Sequence, residues 1–230
     1  MSERPNYADA YRGIRERVTA LVQDRSDEDL DQRAPATPEW RVRDVLAHYA
    51  GVCDDIANGR LEGVGTDDWT DVQVQMRREW PVAKVLADWQ EHAEAIAPQM
   101  QAFPEIAVGQ MLFDAWTHEH DIRGALGEPG SRDSDATDVS FNWITDRLSE
   151  RISADGKGTV VLETEAGEKQ IGAGEPTTRL RADRFEVLRA ATGRRSVAQL
   201  RAMDWDGPFE PEQLVVSTAI FTPPANDLLE

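Results

Sequence analysis

Apolar positions recur at helical spacing through the first half of the chain. Tyr11, Ile14, Val18, Leu21 and Val22 share one face of a helix expected near residues 6–23. Ser26-Asp-Glu-Asp29 has the form of a capping box and opens a short turn of helix. Ala34-Pro-Ala-Thr-Pro38 reads as a loop, because two prolines oppose helix there. Val42, Val45, Leu46, Tyr49, Val52, Cys53 and Ile56 mark a second long helix, which stops near Asn58-Gly59. Glu62 to Thr70 is rich in Gly and Asp and reads as a loop at the mouth of a site. A short helical piece follows near Val72 to Arg78. Pro81 suits the first position of a third long helix, with the stripe Val82, Val85, Leu86, Trp89, Ala93, Ile96 and Met100. Pro104 opens a fourth, with Ile106, Leu112, Phe113 and Trp116 on its apolar side and a stop at Leu126-Gly127-Glu-Pro129. Four long helices in about 125 residues predict an antiparallel bundle.

The pattern changes after residue 135. Val139, Trp143, Ile144 and Leu148 mark one more helix, between the two halves. Thr159–Thr164 is a β-branched run bounded by glycines, hence a strand, and Lys169–Ala173 and Thr178–Ala182 are two further strands. Asp183-Arg-Phe-Glu186 starts a helix that ends near Gly193, and Ser196-Val-Ala-Gln199 is a second capping box that starts another. The fold class is therefore α+β: a helical bundle over residues 1–150, then a small α+β domain over 151–230.

Bulk properties narrow the function classes. The net charge is −18, from 43 acidic and 25 basic residues. Such a field repels nucleic acid and anionic membranes, so neither is an expected partner. The one cysteine, Cys53, allows no internal disulfide, and it sits among apolar helix positions as buried filler. With no apolar leader and no run of the roughly 18 apolar residues that a membrane span needs, a cytoplasmic protein is expected.

The candidate chemistry lies in two stretches, Trp40-Arg-Val-Arg-Asp44-Val-Leu-Ala-His48 and Asp114-Ala-Trp-Thr-His118-Glu-His-Asp121. Asp114 and His118 are four residues apart, so a helix puts them on one face, one turn apart. With a histidine from a neighbouring helix they make a three-ligand site with a coordination position left open. A second reading fits the same residues: Gln110, Asp114, His118 and Asp121 form a polar stripe that a solvated helix face would also show. His48 reads either as a ligand or as a border histidine. Asp44, one turn earlier, reads either as its outer partner or as a solvent-facing acid. His120 points about 160° from His118 on a straight helix, so the two cannot share a metal. His92 reads as a core or rim histidine. No Gly-rich phosphate loop and no Gly-x-Ser-x-Gly elbow is present.

The first stretch, followed by Asp114-x-x-x-His118-x-x-Asp121-Ile-x-x-Ala-x-Gly127, resembles the mycothiol-dependent maleylpyruvate isomerase family, part of the wider superfamily of DinB-like metal-binding four-helix bundles. Gly193-Arg-Arg and Asp204-Trp-Asp-Gly207 are similar to that family's second domain, an α+β module of sterol-carrier type. The resemblance implies a divalent metal, most often zinc, held by His48, Asp114 and His118, with Asp44 and Asp121 as outer partners. This chain has Asp114 where the family has glutamate, one methylene longer. The resemblance further implies mycothiol as the source of a thiolate. That thiolate either adds to a conjugated double bond and leaves after rotation, giving the trans isomer, or stays on a small electrophilic substrate. The expected assembly is a monomer or homodimer. The alternative is a non-enzymatic small-ligand binding protein with a structural or vestigial metal, its pocket near Trp40, Trp69 and Trp116.

Overall fold

A computed structural model describes residues 5–217 and 220–229, and among them the chain divides into two units, one ending at Gly130 and one running from Ser131 to Leu229. The first unit is helical. Helix α1 (Tyr7–Val22) starts where the Asn6 side chain accepts the Asp9 backbone N–H, and it buries Tyr7, Tyr11, Ile14 and Val18 along one stripe. Helix α2 (Asp27–Leu30) carries the expected capping box at Ser26. The Pro35–Pro38 region is more than a loop. Strands β1 (Arg33–Ala34) and β2 (Thr37–Arg41) form a short antiparallel ribbon with Arg33 opposite Arg41 and Ala34 opposite Thr37. A two-stranded ribbon has free edges, where a proline such as Pro38 is tolerated.

Helix α3 (Val42–Ala57) is the buried centre of this unit. Helix α4 (Asp67–Arg77) begins five residues earlier than its apolar pattern suggests, because the Thr66 hydroxyl caps the Trp69 N–H and Asp67 and Asp68 favour the positive end of the helix. Helix α5 (Val82–Ile96) follows Pro81 and tightens into a 3₁₀ turn over Ala97–Ala102. Helix α6 (Glu105–Leu126) follows Pro104 and ends at Gly127, whose φ of 65° suits glycine. The stripe predicted for α6 holds for Leu112, Phe113 and Trp116, but Ile106, in the first turn, is exposed.

Helix α3 packs on α4, α5 and α6, and α1 packs on α6. Trp89 of α5 stacks on Tyr49 of α3 with ring centroids 4.5 Å apart. Its indole N–H donates to the Tyr11 hydroxyl (3.1 Å), which in turn meets Cys53 Sγ at 3.1 Å. The Tyr49 hydroxyl donates to the Ala115 carbonyl at 2.8 Å and ties α3 to α6. The buried polar atoms of these aromatic side chains are thus satisfied, and truncating Trp89 to alanine is expected to cost about 3–5 kcal/mol.

The second unit opens with α7 (Asp135–Asp155), capped at Ser134 and ended by Gly156 in the left-handed region. Sequence alone leaves this helix in the first 150 residues. It packs against α8 and β4, introduced below, and so belongs to the unit that begins at Ser131, after the Gly127-Glu-Pro-Gly130 break. Strands β3 (Val160–Thr164), β4 (Gly167–Ile171) and β5 (Thr178–Arg181) match the three expected, with β3–β4 a hairpin and β5 parallel to β3. Helices α8 (Arg184–Ala191) and α9 (Val197–Ala202) are capped by Asp183 and Ser196, as expected. A strand absent from the sequence reading, β6 (Asp204–Asp206), completes the sheet in the order β4-β3-β5-β6. At three residues it is too short for its Asp-Trp-Asp alternation to mark a strand. Pairing places Asp206 opposite Arg179 and Asp204 opposite Arg181, which sets opposite charges across the strands. Among the described residues, no helix is long and apolar enough to cross a membrane.

Candidate metal centre

Helix α6 turns a polar face into the protein. His118, Glu119, His120 and Asp121 are four consecutive buried residues, and Glu119 is fully buried. A helix keeps such groups inside only when each is compensated. Glu119 accepts from Arg17 Nε and Nη2 at 2.9 and 2.7 Å, and from Arg123 at 3.1 and 3.0 Å. His120 packs on Trp116 at 4.4 Å between centroids, away from His118. His118 Nδ1 lies 2.9 Å from Asp121 Oδ2. The stripe is therefore not a solvated face at these positions, although Asp114, one turn earlier, remains 37% exposed at its side chain.

Asp114, His118 and His48 converge. His48 Nε2 lies 3.1 Å from Asp114 Oδ2, and His118 Nε2 lies 3.6 Å from Asp114 Oδ1. One ligand atom from each residue lies within 4.8 Å of the other two. The i, i+4 spacing on α6 sets the Asp114–His118 pair, and the packing of α3 on α6 brings His48 to it. The Trp40 ring, at the end of β2, lies 5.1 Å from the His48 ring and 5.4 Å from the His118 ring and shields both from water.

The outer partners settle which nitrogens face inward. His48 Nδ1 lies 3.0 Å from Gln73 Oε1 on α4, and the Gln73 amide N–H donates to Asp55 Oδ2 at 2.8 Å. Asp44 does not take the outer place beside His48. Its carboxylate accepts from the Arg41 backbone N–H, Nε and Nη2, each at 2.9 Å, and so closes the start of α3. Burial raises the Asp44 carboxyl, but the hydrogen bonds and charge of Arg41 outweigh it and hold the group below its ordinary value.

A carboxylate only accepts hydrogen bonds, so Asp121 requires the hydrogen of His118 on Nδ1. The same rule at Asp55 turns the Gln73 N–H outward, which leaves its oxygen to accept from His48 Nδ1. With Nδ1 of each imidazole so engaged, the two Nε2 atoms face the Asp114 carboxylate, and in the neutral rings they are lone pairs. Two imidazole nitrogens and a carboxylate oxygen then meet at one point, an arrangement that a positive charge satisfies, either a proton shared by His48 Nε2 and Asp114 or a metal ion. Two imidazole nitrogens and one carboxylate oxygen are the donor set that zinc takes in catalytic sites, with further positions open. The residues fit a divalent metal.

The remaining candidates fall elsewhere. His92 sits at the rim of α5, where its Nδ1 bonds the Asp88 carbonyl at 2.9 Å. Cys53 is fully buried, and burial pushes its thiol up to about 12. Trp69 donates to the Arg60 carbonyl at the surface and Trp116 is core, so of the three tryptophans only Trp40 touches the centre. Sequence reasoning missed Gln73 and Glu119. Glutamine carries no chemical signature on a short charged helix, and Glu119 is told from a surface acid only by its distant partner Arg17.

Residues 11–123 match the sequence family described as the mycothiol maleylpyruvate isomerase N-terminal domain. Two solved structures are similar to this chain, each at 10% identity over 81% of it and 88% of theirs. One is the mycothiol-dependent maleylpyruvate isomerase, with a TM-score of 0.51. The other is a histidine-to-alanine mutant of that enzyme, with a TM-score of 0.56. At that identity the likeness is one of fold. No curated protein sequence matches the chain.

Proposed function

From the match of residues 11–123 to the mycothiol maleylpyruvate isomerase N-terminal domain family, we propose that this protein is a metal- and thiol-dependent enzyme acting on a small electrophile. His48, Asp114 and His118 hold the metal, and mycothiol supplies the thiol. The reaction is either cis–trans isomerisation of an activated double bond or transfer of the thiol to an electrophilic carbon. The observation that carries the reading is the convergence of one possible ligand atom from each of His48, Asp114 and His118 within 4.8 Å.

The chemistry a divalent metal supplies there, when bound, is Lewis acidity that favours the thiolate form of a thiol. The chain's own residues do the rest. Gln73 and Asp121 hold the two imidazoles so that Nε2 faces the centre. Trp40 covers one side and limits water. Asp114, half-exposed, marks the open side from which substrate and thiol arrive. Cys53 takes no part: its thiol is buried and raised to about 12, so the sulfur comes from outside the chain. Arg123 is committed to Glu119.

The experiment has two stages. Metal content of tag-free wild type and His118→Ala is compared by elemental analysis, with near-stoichiometric metal in the first and its loss in the second expected. The metal-loaded protein is then given mycothiol with a cis-configured unsaturated keto acid or an alkylating electrophile. Trans product at constant thiol identifies an isomerase, and thiol consumed one-for-one identifies a transferase. A folded wild type without metal, or a metal-loaded protein with neither activity, overturns the proposal.

A further inference from the structure

His48 is held by more than its own helix. Behind its Nδ1 runs a chain of groups: Gln73 Oε1 at 3.0 Å, then from the Gln73 amide nitrogen to Asp55 Oδ2 at 2.8 Å, then from Asp55 Oδ1 to Arg60 Nε at 2.8 Å. Gln73 is 1% exposed, so its amide has no water to fall back on. An amide offers an acceptor at one end and a donor at the other, and nothing in its shape says which end faces the imidazole. The Asp55 carboxylate decides it, because only the N–H end can face a carboxylate. The oxygen must then face His48 and draws a hydrogen to Nδ1, against Asp114 Oδ2, which lies 3.1 Å from Nε2 on the other side of the ring.

We infer that Gln73 is a positioning residue: backed by Asp55, it locks His48 as the Nδ1–H tautomer and so selects Nε2 as its ligand atom. The inference rests on the metal-centre reading above and extends it to α4, a helix that contributes no ligand. Without this relay His48 has no acceptor behind it and samples both tautomers, one of which presents a hydrogen to the metal position. Outer partners of this kind are worth about 10–100-fold in metal affinity.

A residue that merely filled space would be indifferent to which member of the pair carries the charge, and that difference supplies the test. Q73E alone sets two carboxylates face to face. D55N alone frees the Gln73 amide to turn over, since an amide in place of Asp55 both accepts and donates. Q73E combined with D55N restores a donor facing an acceptor and leaves an acceptor facing His48. The full-length protein and the three variants are titrated with zinc alone against a competing chelator. Thermal unfolding is followed in parallel, and the His48 ring nitrogens are read from long-range proton–nitrogen-15 spectra. Each single substitution is expected to raise the zinc dissociation constant about 10–100-fold, and the pair to return it to within about threefold of wild type. The metal-free wild type at about pH 9, above the ordinary imidazole range, is expected to show the hydrogen on Nδ1. Single variants that fold and bind zinc like wild type overturn the inference. So does a folded double variant without recovery, or an Nε2–H tautomer in the metal-free wild type. If a single variant does not fold, the double variant and the tautomer decide. If the wild type binds no zinc, the metal-centre reading fails, and the metal-free tautomer alone decides the role of Gln73.

Discussion

Gly51 sets two effects of opposite sign against each other. It lies inside α3, three residues after His48, and on helix propensity alone Gly51→Ala stabilises by about 1 kcal/mol. A Cβ at that position, however, would lie 2.3 Å from Gln73 Cβ, 2.6 Å from its Cγ and 3.1 Å from its Cδ. Ordinary carbon contacts begin near ~3.5 Å, so Gln73 must retreat by roughly 1.2 Å. It cannot do so by swinging a flexible tip, because the nearest atom is its own Cβ, carried by the α4 backbone. Helix α4 is in turn pinned by Arg77, which bonds Asp54 and Asp88 at 2.8 Å each. Overpacking of this kind costs about 1–3 kcal/mol, and stretching the buried His48–Gln73 bond costs about 1 kcal/mol more. Less the propensity gain, Gly51→Ala is expected to destabilise the helical unit by about 1–3 kcal/mol. It is also expected to weaken zinc binding about tenfold, because His48 loses its outer partner. Urea unfolding followed by tryptophan fluorescence measures the first effect, and chelator competition the second. A Gly51→Ala protein more stable than wild type, or one with unchanged stability and zinc affinity, would refute the claim that α4 is held at a fixed distance behind His48.

Three further outcomes are expected. Asp121→Asn removes the charge behind His118 and should weaken zinc binding about 10–100-fold while leaving the unfolding midpoint near wild type; an unchanged zinc affinity would show that Asp121 does not act through His118. Cys53, buried with its thiol raised to about 12, should resist a thiol reagent at neutral pH until the protein is unfolded, and Cys53→Ala should keep any thiol-dependent turnover; fast labelling of the native protein would place it elsewhere. Asp44 is held below its ordinary value in the folded state, so the stability it contributes with Arg41 is fully present above the unfolded carboxyl value, near pH 4, and is lost as pH falls through the lower folded value. The penalty of Arg41→Gln, measured as a difference in urea midpoint from wild type, should therefore be largest at neutral pH and vanish in acid; a penalty that grows on acidification would reverse the sign argued for this pair.

Most of the element list was legible in the sequence, because its signals are local. A 3.6-residue apolar period, a Ser or Thr cap, a proline at the first turn and a glycine at the last act within a few residues, and they place α1, α3, α5, α6, α8 and α9 close to where the chain forms them. The Asp114–His118 pair belongs to the same class, since one helical turn joins the two. Asp44 stands one turn before His48, yet Arg41 stands nearer still and caps the helix with it. Gln73, Trp40 and Glu119 are matters of tertiary structure. Each acts on a partner 8 to 102 residues away, across a helix interface or from a ribbon. So is β6, three residues long, whose strand exists through its pairing with β5. Backbone geometry and capping are decided among neighbours in the chain. The distance and rotation between helix faces are decided by how the whole core packs, and only that packing turns a polar stripe inward and brings α3, α4 and α6 to one point.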